Sequence, residues 1–190
     1  MPRPTFITAR LKLRPLEPRD AKALHACYGD PAAMRFWDAA PSRDVAQTKA
    51  RIGRNTQRYA SWAILSMDGK RFLGMVNYHN RRPPHRRLEV GYILARRHWR
   101  KGIMQEAMTA FLDYCFGALG SHRVEAQIDP GNAASRCLAE KLGFRAEGLM
   151  RDRFCVEGEY RSEVMYALLS DEWYSRHPKP TGTRPSKTKR

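Results

Sequence analysis

The sequence predicts one α/β domain, in which helices lie on both faces of a mixed β-sheet. Amphipathic helical segments alternate with short apolar strands in the middle of the chain, and strand–turn–strand hairpins lie toward both ends. The chain has 190 residues, 42% of them hydrophobic, which is enough to bury one core without disulfides or a metal. We expect this domain to span residues 1–173, and residues 174–190 to form a basic, disordered tail.

Apolar alternation and helix breakers place the elements of the first half of the chain. These elements are a strand over Leu11–Arg14, a helix from Pro18 to about Gly29, a helix from Ser42 to about Gln57, and strands over Ser61–Met67 and Arg71–Tyr78. Ser42 is the expected N-cap of the second helix, and Asp68-Gly69 predicts a tight hairpin turn. The basic, proline-containing segment Asn80–Arg87 indicates a loop.

The second half of the chain carries the clearest helix pattern. From Ile103 to Phe116, two apolar rows with a spacing of four residues form one wide face, as packing on a sheet requires. The other predicted elements are strands over Leu88–Leu94, Val124–Ile128, Arg145–Cys155 and Arg161–Leu169, and a helix over Asn132–Leu142 that ends at Gly143.

The chain is strongly basic. Its 35 Lys and Arg against 19 Asp and Glu give a net charge of +16, and six of the basic residues lie within residues 176–190. Such a charge attracts polyanions and steers anionic ligands, but an arginine-rich surface without a nucleic-acid role is equally consistent with it. The chain has no apolar run of about 18 residues and no signal-peptide pattern, so we expect a cytoplasmic protein with no membrane partner.

Cysteine and histidine spacing predicts neither disulfides nor a metal site. The four cysteines form no Cys-x-x-Cys pair, and Cys115 and Cys137 fall on the apolar stripes of predicted helices. Reduced, buried thiols are therefore expected at both positions. The six histidines have no metal-ligand spacing, so no bound metal is expected.

The most informative segment is a basic loop between a predicted strand and the long helix. Arg97, Arg100 and Lys101 precede Gly102, and the helix begins at the next residue. A helix N-terminus presents free N–H groups and the positive end of the helix dipole, and a glycine lets a phosphate approach the backbone closely. The segment therefore predicts a pyrophosphate site, with a solvated basic loop as the alternative. It is neither a P-loop nor a dinucleotide fingerprint, because both glycine patterns are absent.

Two signatures in this region resemble those of the GNAT acetyltransferases, in particular the group that includes RimJ and RimL. The first is similar to their acetyl-CoA loop and runs Trp99-Arg100-Lys101-Gly102-Ile103-Met104-Gln105-Glu106-Ala107. The second is Asn132-Ala133-Ala134-Ser135, followed by Glu140-Lys141-Leu142-Gly143-Phe144 and Glu147-Gly148. The resemblance covers residues 7–170. Two positions depart from the pattern of the group: Met104 is bulkier than usual, and Ser162 stands where many members have Asp.

The resemblance implies a mostly antiparallel sheet of six or seven strands, splayed apart between Leu88–Leu94 and Val124–Ile128, with Gly91 as a bulge. It also implies acetyl-CoA as the acetyl donor. Pantetheine would pair along the backbone of two strand residues, and the pyrophosphate would bind the amides that follow Trp99. The implied cofactor-binding residues are Ile93, Leu94, Arg97, Trp99, Arg100, Lys101, Gly102, Ile103, Met104 and Asn132.

Acetyl transfer to an amine needs a base for the ammonium proton and a proton donor near the leaving sulfur. Glu89 is the predicted base, because it lies two residues before Gly91 and projects from the same side of the strand. The alternative for Glu89 is an ion pair with Arg86 or Arg87.

The resemblance assigns the proton-donor role to Ser135, near the thioester sulfur. Asn132 would contact the cofactor or an ordered water, although Asn is also a favoured N-cap and Ser is ordinary in a first helical turn. Phe36 and Trp37 would line the amine pocket or belong to the core.

The function that these observations predict is acetyl-CoA-dependent N-acetylation of a primary amine by direct transfer. The group resemblance favours a protein N-terminal α-amine, with ribosome association as a further expectation, in a monomer or homodimer. Small amines or antibiotics are the alternative acceptors. A non-catalytic ribosome- or nucleic-acid-binding module on the same fold is the competing class, although RRM-type and OB-type recognition motifs are absent.

Overall fold

A computed structural model describes residues 3–52 and 59–178 and contains one sheet of eight strands in the order β1-β2-β3-β4-β5-β6-β8-β7. The strands are β1 (Phe6–Ile7), β2 (Leu11–Pro15), β3 (Ala60–Ser66), β4 (Phe72–Arg82), β5 (Arg87–Leu94), β6 (Arg123–Ile128), β7 (Arg145–Val156) and β8 (Glu159–Leu169). The helices are α1 (Ala21–Tyr28), α2 (Pro31–Met34), α3 (Val45–Ile52), α4 (Ile103–Phe116), α5 (Ala133–Leu142) and α6 (Ser170–Arg176). The predicted α/β class is confirmed, but the sheet has eight strands in the described ranges, not the six or seven expected.

The sheet opens between its two central strands. Neighbouring strands are antiparallel except β5 and β6, which run parallel and pair only where Arg87–Glu89 lies beside Arg123–Glu125. Beyond this point β5 stays paired with β4, and β6 stays paired with β8. A gap therefore separates Val90–Leu94 from Ala126–Ile128, as the resemblance implied.

Strand alternation gives the sheet two apolar faces, each covered by its own helices. On β5, Leu88, Val90 and Leu94 belong to the core that includes residues of α4, α5 and α6. Ile93 points the other way, into the core formed with α1, α2 and α3. The predicted arrangement of helices on both faces is confirmed, and the gap between β5 and β6 lies between these two layers.

The hairpin before β5 differs from the prediction. Residues Asn80–Arg87 were expected to form a loop, but β4 continues to Arg82, and a single 3-10 turn over Pro83–His85 leads into β5. The pairing irregularity lies between His79 and Arg82, not at the predicted bulge Gly91, which pairs regularly with Asn77. At Gly91 an added Cβ would come within 2.9 Å of the Asn77 side chain. The glycine therefore allows this side chain to approach the backbone of β5 closely.

Helix α3 is capped by a different residue from the one predicted. The Asp44 carboxylate accepts a 2.7 Å hydrogen bond from the Gln47 N–H, whereas the Ser42 hydroxyl is buried with no partner among the described residues. Both residue types are good caps, so local sequence did not distinguish them. The helix was predicted to reach Gln57, and residues 53–58 lie outside the described ranges.

Two further differences concern α5 and α6. Cys115 is buried as predicted, but Cys137 is exposed, because α5 turns Ala139 and Leu142 toward the core instead. Helix α6 continues past the expected domain boundary at residue 173. Trp173 is fully buried and donates a 2.9 Å hydrogen bond to Asp113, so it anchors this helix. Residues 179–190 of the expected tail lie outside the described ranges.

In the ranges that the structure describes, no helix is both long and apolar enough to cross a membrane.

A bulge in β4 lies next to the open part of the sheet. Pairing with β3 shifts so that Gly74 faces Ile64 while Phe72 faces Leu65, which leaves Leu73 as the extra residue. A Cβ at Gly74 would overlap the carbonyl oxygen of Ile93 on β5. The absence of a side chain here lets β4 hold β5 closely where β5 has lost its other neighbour.

We predict that Gly74→Ala lowers the free energy of unfolding by about 1–3 kcal/mol, because the added methyl group forces the β4–β5 pair apart. Gly148→Ala is the matched control, since this strand glycine has nothing within 4 Å of an added Cβ. Urea denaturation measures both variants. Equal stabilities would contradict the close approach of Gly74 and Ile93.

Candidate active site

A cleft of about 340 Å³ occupies the gap between β5 and β6. Its walls bring together residues that the sequence analysis selected separately, namely Phe36, Trp37, Glu89, Asn132 and Ser135. The cleft also contains side chains that the sequence analysis did not select, namely Asp38, His79, Tyr92, Asp129, Arg153 and Glu163.

Glu89 lies on the α1–α3 side of the sheet and is held by a histidine. Its Oε2 atom is 2.9 Å from Nε2 of His79, on the neighbouring strand β4. Burial alone would raise the pKa of Glu89, but hydrogen bonds from His79 and Asn80 and the nearby positive charges outweigh burial and lower it. Glu89 is therefore ionised near neutral pH.

The predicted alternative partners of Glu89 are engaged elsewhere. Arg87 makes a 2.8 Å ion pair with Glu125 on β6, and Nε of Arg86 donates to the Gly120 carbonyl at 2.8 Å. The predicted ion pair with Arg86 or Arg87 is therefore wrong. The true partner, His79, is ten residues away in sequence and became adjacent through the longer β4–β5 hairpin.

On the α4–α5 side of the sheet, Ser135 pairs with a tyrosine across the cleft. Its Oγ atom is 2.7 Å from the hydroxyl of Tyr92 on β5. Burial raises the pKa of Tyr92 to about 12, although the Ser135 hydrogen bond opposes this shift. Tyr92 thus keeps its proton throughout the neutral range. The sequence around Tyr92 gives no local signal of this contact. Only the pairing with Ser135 in the structure reveals it.

Asn132 has the capping role that the sequence allowed. Its side chain accepts a 3.1 Å hydrogen bond from the Ser135 N–H at the start of α5. This bond holds the first turn of α5 so that the Ser135 hydroxyl is directed at Tyr92. Asn132 also lines the cleft.

The cleft is acidic, although the chain carries a net charge of +16. Four carboxylates line it, and the basic side chains there are His79 and Arg153. The four are Asp38, Glu89, Asp129 and Glu163. A concave, partly desolvated cluster of this kind attracts cations more strongly than the same charges on an open surface.

The two aromatic residues of the expected amine pocket are in the cleft wall. Trp37 packs edge-on against Tyr28 of α1 at 5.5 Å and also belongs to the rim of the α1–α3 core. The Arg35 guanidinium lies over the ring of Phe36, 5.2 Å from the ring centroid. Trp37 therefore lies both in the cleft wall and at the edge of the core.

The basic loop before α4 has the backbone shape of an anion site. Arg100 and Gly102 both have left-handed φ values, of 58° and 69°, and α4 begins at Ile103. Such a loop directs successive N–H groups toward a common point at the positive end of the helix. Arg97, Arg100 and Lys101 are all exposed around it. The donor set suits a diphosphate such as that of coenzyme A.

An arginine from the β1–β2 turn holds this loop in place through hydrogen bonds. Arg10 Nη1 donates to the Lys101 carbonyl at 3.2 Å, and its Nε donates to Glu106 of α4 at 2.6 Å. Thr8 donates to the other oxygen of Glu106 at 2.6 Å. Burial would raise the pKa of Glu106, but these bonds outweigh it and hold the pKa below its usual value. About ninety residues separate Arg10 from the loop, so no local pattern could indicate the contact.

The structure shows the surroundings of two of the expected cofactor residues, Met104 and Leu94. The Met104 side chain is buried in the α4 core, with 8% of its surface exposed, so its bulk is turned away from the loop. The Leu94 carbonyl accepts a 2.9 Å hydrogen bond from the Trp99 indole and is therefore already engaged. The neighbouring Ile93 also has a buried side chain. At the edge of the gap, Ile93 therefore offers its backbone only.

Within the two described ranges, no group of three or more His, Cys, Asp or Glu side chains is arranged to hold a metal ion.

Comparison with protein families and curated proteins identifies the family of the chain. The model for the acetyltransferase (GNAT) domain matches residues 10–145. The uncharacterized N-acetyltransferase p20 of Bacillus licheniformis is 32% identical over 89% of this chain and 98% of its own length. GNAT acetyltransferases use acetyl-CoA, which fits the loop before α4.

More distant relatives have named acceptors. The [ribosomal protein uS5]-alanine N-acetyltransferase of Escherichia coli is 28% identical over 91% of this chain and 94% of its own. The spermidine N(1)-acetyltransferase of Escherichia coli is 25% identical over 91% of this chain and 93% of its own. A solved GNAT-family acetyltransferase of Bacillus anthracis superposes with a TM-score of 0.78 at 25% identity, covering 88% of this chain and 99% of its own. The chain therefore belongs to the GNAT family and is an N-acetyltransferase.

Proposed function

We propose that this chain transfers an acetyl group directly from acetyl-CoA to a cationic primary amine bound in the cleft between β5 and β6. The observation that carries the proposal is the splay, which opens a passage between the two faces of the sheet. Carboxylates line the α1–α3 side of this passage, and the Tyr92–Ser135 pair lies on the α5 side. An amine and a thioester that enter from opposite faces can therefore meet inside the sheet.

The donor binds along β5 and at the start of α4 in this proposal. The diphosphate would take the N–H groups that follow Gly102, with Arg97, Arg100 and Lys101 neutralising its charge. Ile103 would contribute its backbone N–H, and Trp99 would close the end of β5 through its bond to Leu94. The pantetheine amides would pair with the open edge of β5 near Ile93.

The Tyr92–Ser135 pair supplies the proton for the departing sulfur. The neutral amine attacks the thioester carbon, a C–N bond forms, and the C–S bond breaks. The sulfur takes a proton from the hydroxyl pair, which is restored by the proton that the nitrogen loses as the amide forms. The raised pKa of Tyr92 keeps this donor protonated at the pH where the amine reacts.

Glu89 is the carboxylate that the sequence selected as base. In the cleft it is an ionised group bonded to His79, and its lowered pKa makes it a weak acceptor of protons. Its fixed negative charge suits a different task, which is to hold the ammonium group of the acceptor beside the gap.

The acidity of the cleft favours an acceptor with more than one positive charge, such as a polyamine. Four carboxylates exceed what a single ammonium group needs, and the relative that acetylates spermidine is consistent with such an acceptor. A protein N-terminal α-amine, as in the uS5 relative, is the second candidate, and association with the ribosome would accompany it. Its reference pKa of about 7.7–8.0 would make deprotonation easier than for an alkyl amine.

A screen with radiolabelled acetyl-CoA tests these acceptors. We expect kcat/KM to be highest for diamines and polyamines, and lower for monoamines of equal length and for peptides with an N-terminal alanine. Asp38→Asn and Asp129→Asn should each raise KM for a diamine more than for the matched monoamine. Equal effects on the two amines, or a preference for the peptides, would contradict the polycationic acceptor.

We predict that Gly102→Glu abolishes acetyl-CoA binding measured by calorimetry, because a carboxylate at the start of α4 repels the diphosphate. Gly120→Glu is the matched control, since Gly120 has a similar left-handed φ of 62° and lies beyond the other end of α4. The control should bind with wild-type affinity. If Gly102→Glu also binds normally, the donor site lies elsewhere.

We predict that Tyr92→Phe and Ser135→Ala each lower kcat by about 10²-fold while leaving the affinity for acetyl-CoA within about twofold. Because the two hydroxyls are bonded to each other and act as one unit, the double variant should be little worse than either single variant. Pre-steady-state kinetics measures the transfer step. Wild-type turnover in either single variant, or fully additive losses, would rule out this shared role.

A further inference from the structure

Glu163 of β8 faces the same side of the sheet as Glu89. On β8, Val164, Tyr166 and Leu168 pack into the α4–α5 core. Since side chains alternate along a strand, Glu163 projects to the opposite face, where the acidic wall of the cleft lies. The β6–β8 register pairs Ile128 with Val164, so Glu163 lies where β6 ends, at the mouth of the gap.

The carboxylate of Glu163 differs from the other three in its surroundings. Asp129 accepts a hydrogen bond from the Gly131 N–H at 2.7 Å, Glu89 is bonded to His79, and Asp38 is exposed to solvent. Glu163 is half-buried, and among the described residues no hydrogen bond or ion pair holds it. A desolvated carboxylate without donors binds a proton more readily than a hydrogen-bonded one.

The charged groups that face Glu163 come from several elements around the cleft. Burial raises the pKa of Glu163 to about 7, and the negative charges of Asp38, Glu89 and Asp129 add to this shift, while Arg153 of β7 opposes it. His79 of β4 also lines the cleft and is bonded to Glu89. Glu163 therefore changes protonation state in the pH range where a general base is most effective.

We infer that Glu163 is the catalytic base that accepts the proton of the acceptor ammonium group, an inference that rests on the acetyl transfer proposed above. One N–H bond of the ammonium breaks, its proton binds a carboxylate oxygen of Glu163, and the electron pair stays on the nitrogen, which then attacks the thioester. The proton leaves Glu163 for solvent after the product departs. Glu89 remains the anionic partner that orients the ammonium, so the two carboxylates have different tasks.

The test is the pH dependence of kcat/KM with an alkyl diamine as acceptor. In the wild type, kcat/KM should rise up to about pH 7 and then stay level, as Glu163 ionises while the amine is still an ammonium ion. In Glu163→Gln, it should fall by about 10²-fold at pH 7.5 and rise steadily toward about pH 10, because only the free amine can react. Glu163→Asp should keep the level region at a lower rate.

Two controls separate a base from a structural residue. With a fluorinated, weakly basic amine that is uncharged at neutral pH, the loss in Glu163→Gln should shrink to less than about tenfold. Glu89→Gln should raise KM for the diamine and keep the inflection, moved to a slightly lower pH because the charge of Glu89 no longer raises the pKa of Glu163. All variants should bind acetyl-CoA by calorimetry like the wild type, which shows that the fold and the donor site are intact.

An inflection near pH 7 that persists in Glu163→Gln, or that disappears in Glu89→Gln instead, would overturn the assignment of Glu163 and leave the acetyl transfer in place. An equal loss in Glu163→Gln with the diamine and with the weakly basic amine would also overturn it. A wild-type protein that binds acetyl-CoA and acetylates no amine would overturn both the inference and the proposed function.

Discussion

The short pairing between β5 and β6 is the constraint on which the rest of the structure depends. The two strands share a register over only three residues each, and then each continues with one partner. Backbone groups inside a sheet are normally paired, so an open edge in the middle of one must be satisfied by water or by a ligand. The same opening connects the two faces of the sheet. It creates a cleft with carboxylates on one side and the Tyr92–Ser135 hydroxyl pair on the other.

Several features keep this opening in place. The bulge at Leu73 and the missing side chain of Gly74 hold β4 tightly against the otherwise unsupported part of β5. The Trp99 indole ties the last carbonyl of β5, and Arg10 ties the following loop to the β1–β2 turn. The strand and the loop that border the gap are therefore both held by contacts with other parts of the fold.

The local parts of the fold were predictable from sequence, and the contacts between distant segments were not. Helices α4 and α5 were predicted almost to the residue, because their apolar spacing and the glycine at the end of α5 are local signals. Gly102 and Ser135 were found through linear motifs. By contrast, His79, Tyr92 and Glu163 meet the cleft only through strand pairing and alternation, and an isolated Tyr or Glu in a strand carries no signal of its function. Glu89 was selected correctly as a cleft residue, but with the wrong ion-pair alternatives, because the hairpin before it was predicted to be a loop.

Positive and negative side chains lie in different parts of the structure, which the net charge alone does not reveal. The exposed loop at the start of α4 is basic, while the cleft is lined by four carboxylates in a chain of net charge +16. An anionic donor and a cationic acceptor would therefore be attracted to different ends of one passage. The most direct test of this arrangement is amide hydrogen exchange with and without coenzyme A. Protection of residues 103–105 and of the gap-facing amides of residues 90–94, with no change in the β7–β8 hairpin, is the predicted result. Unchanged exchange in both segments, at a coenzyme A concentration that saturates the protein, would contradict the passage through the open sheet.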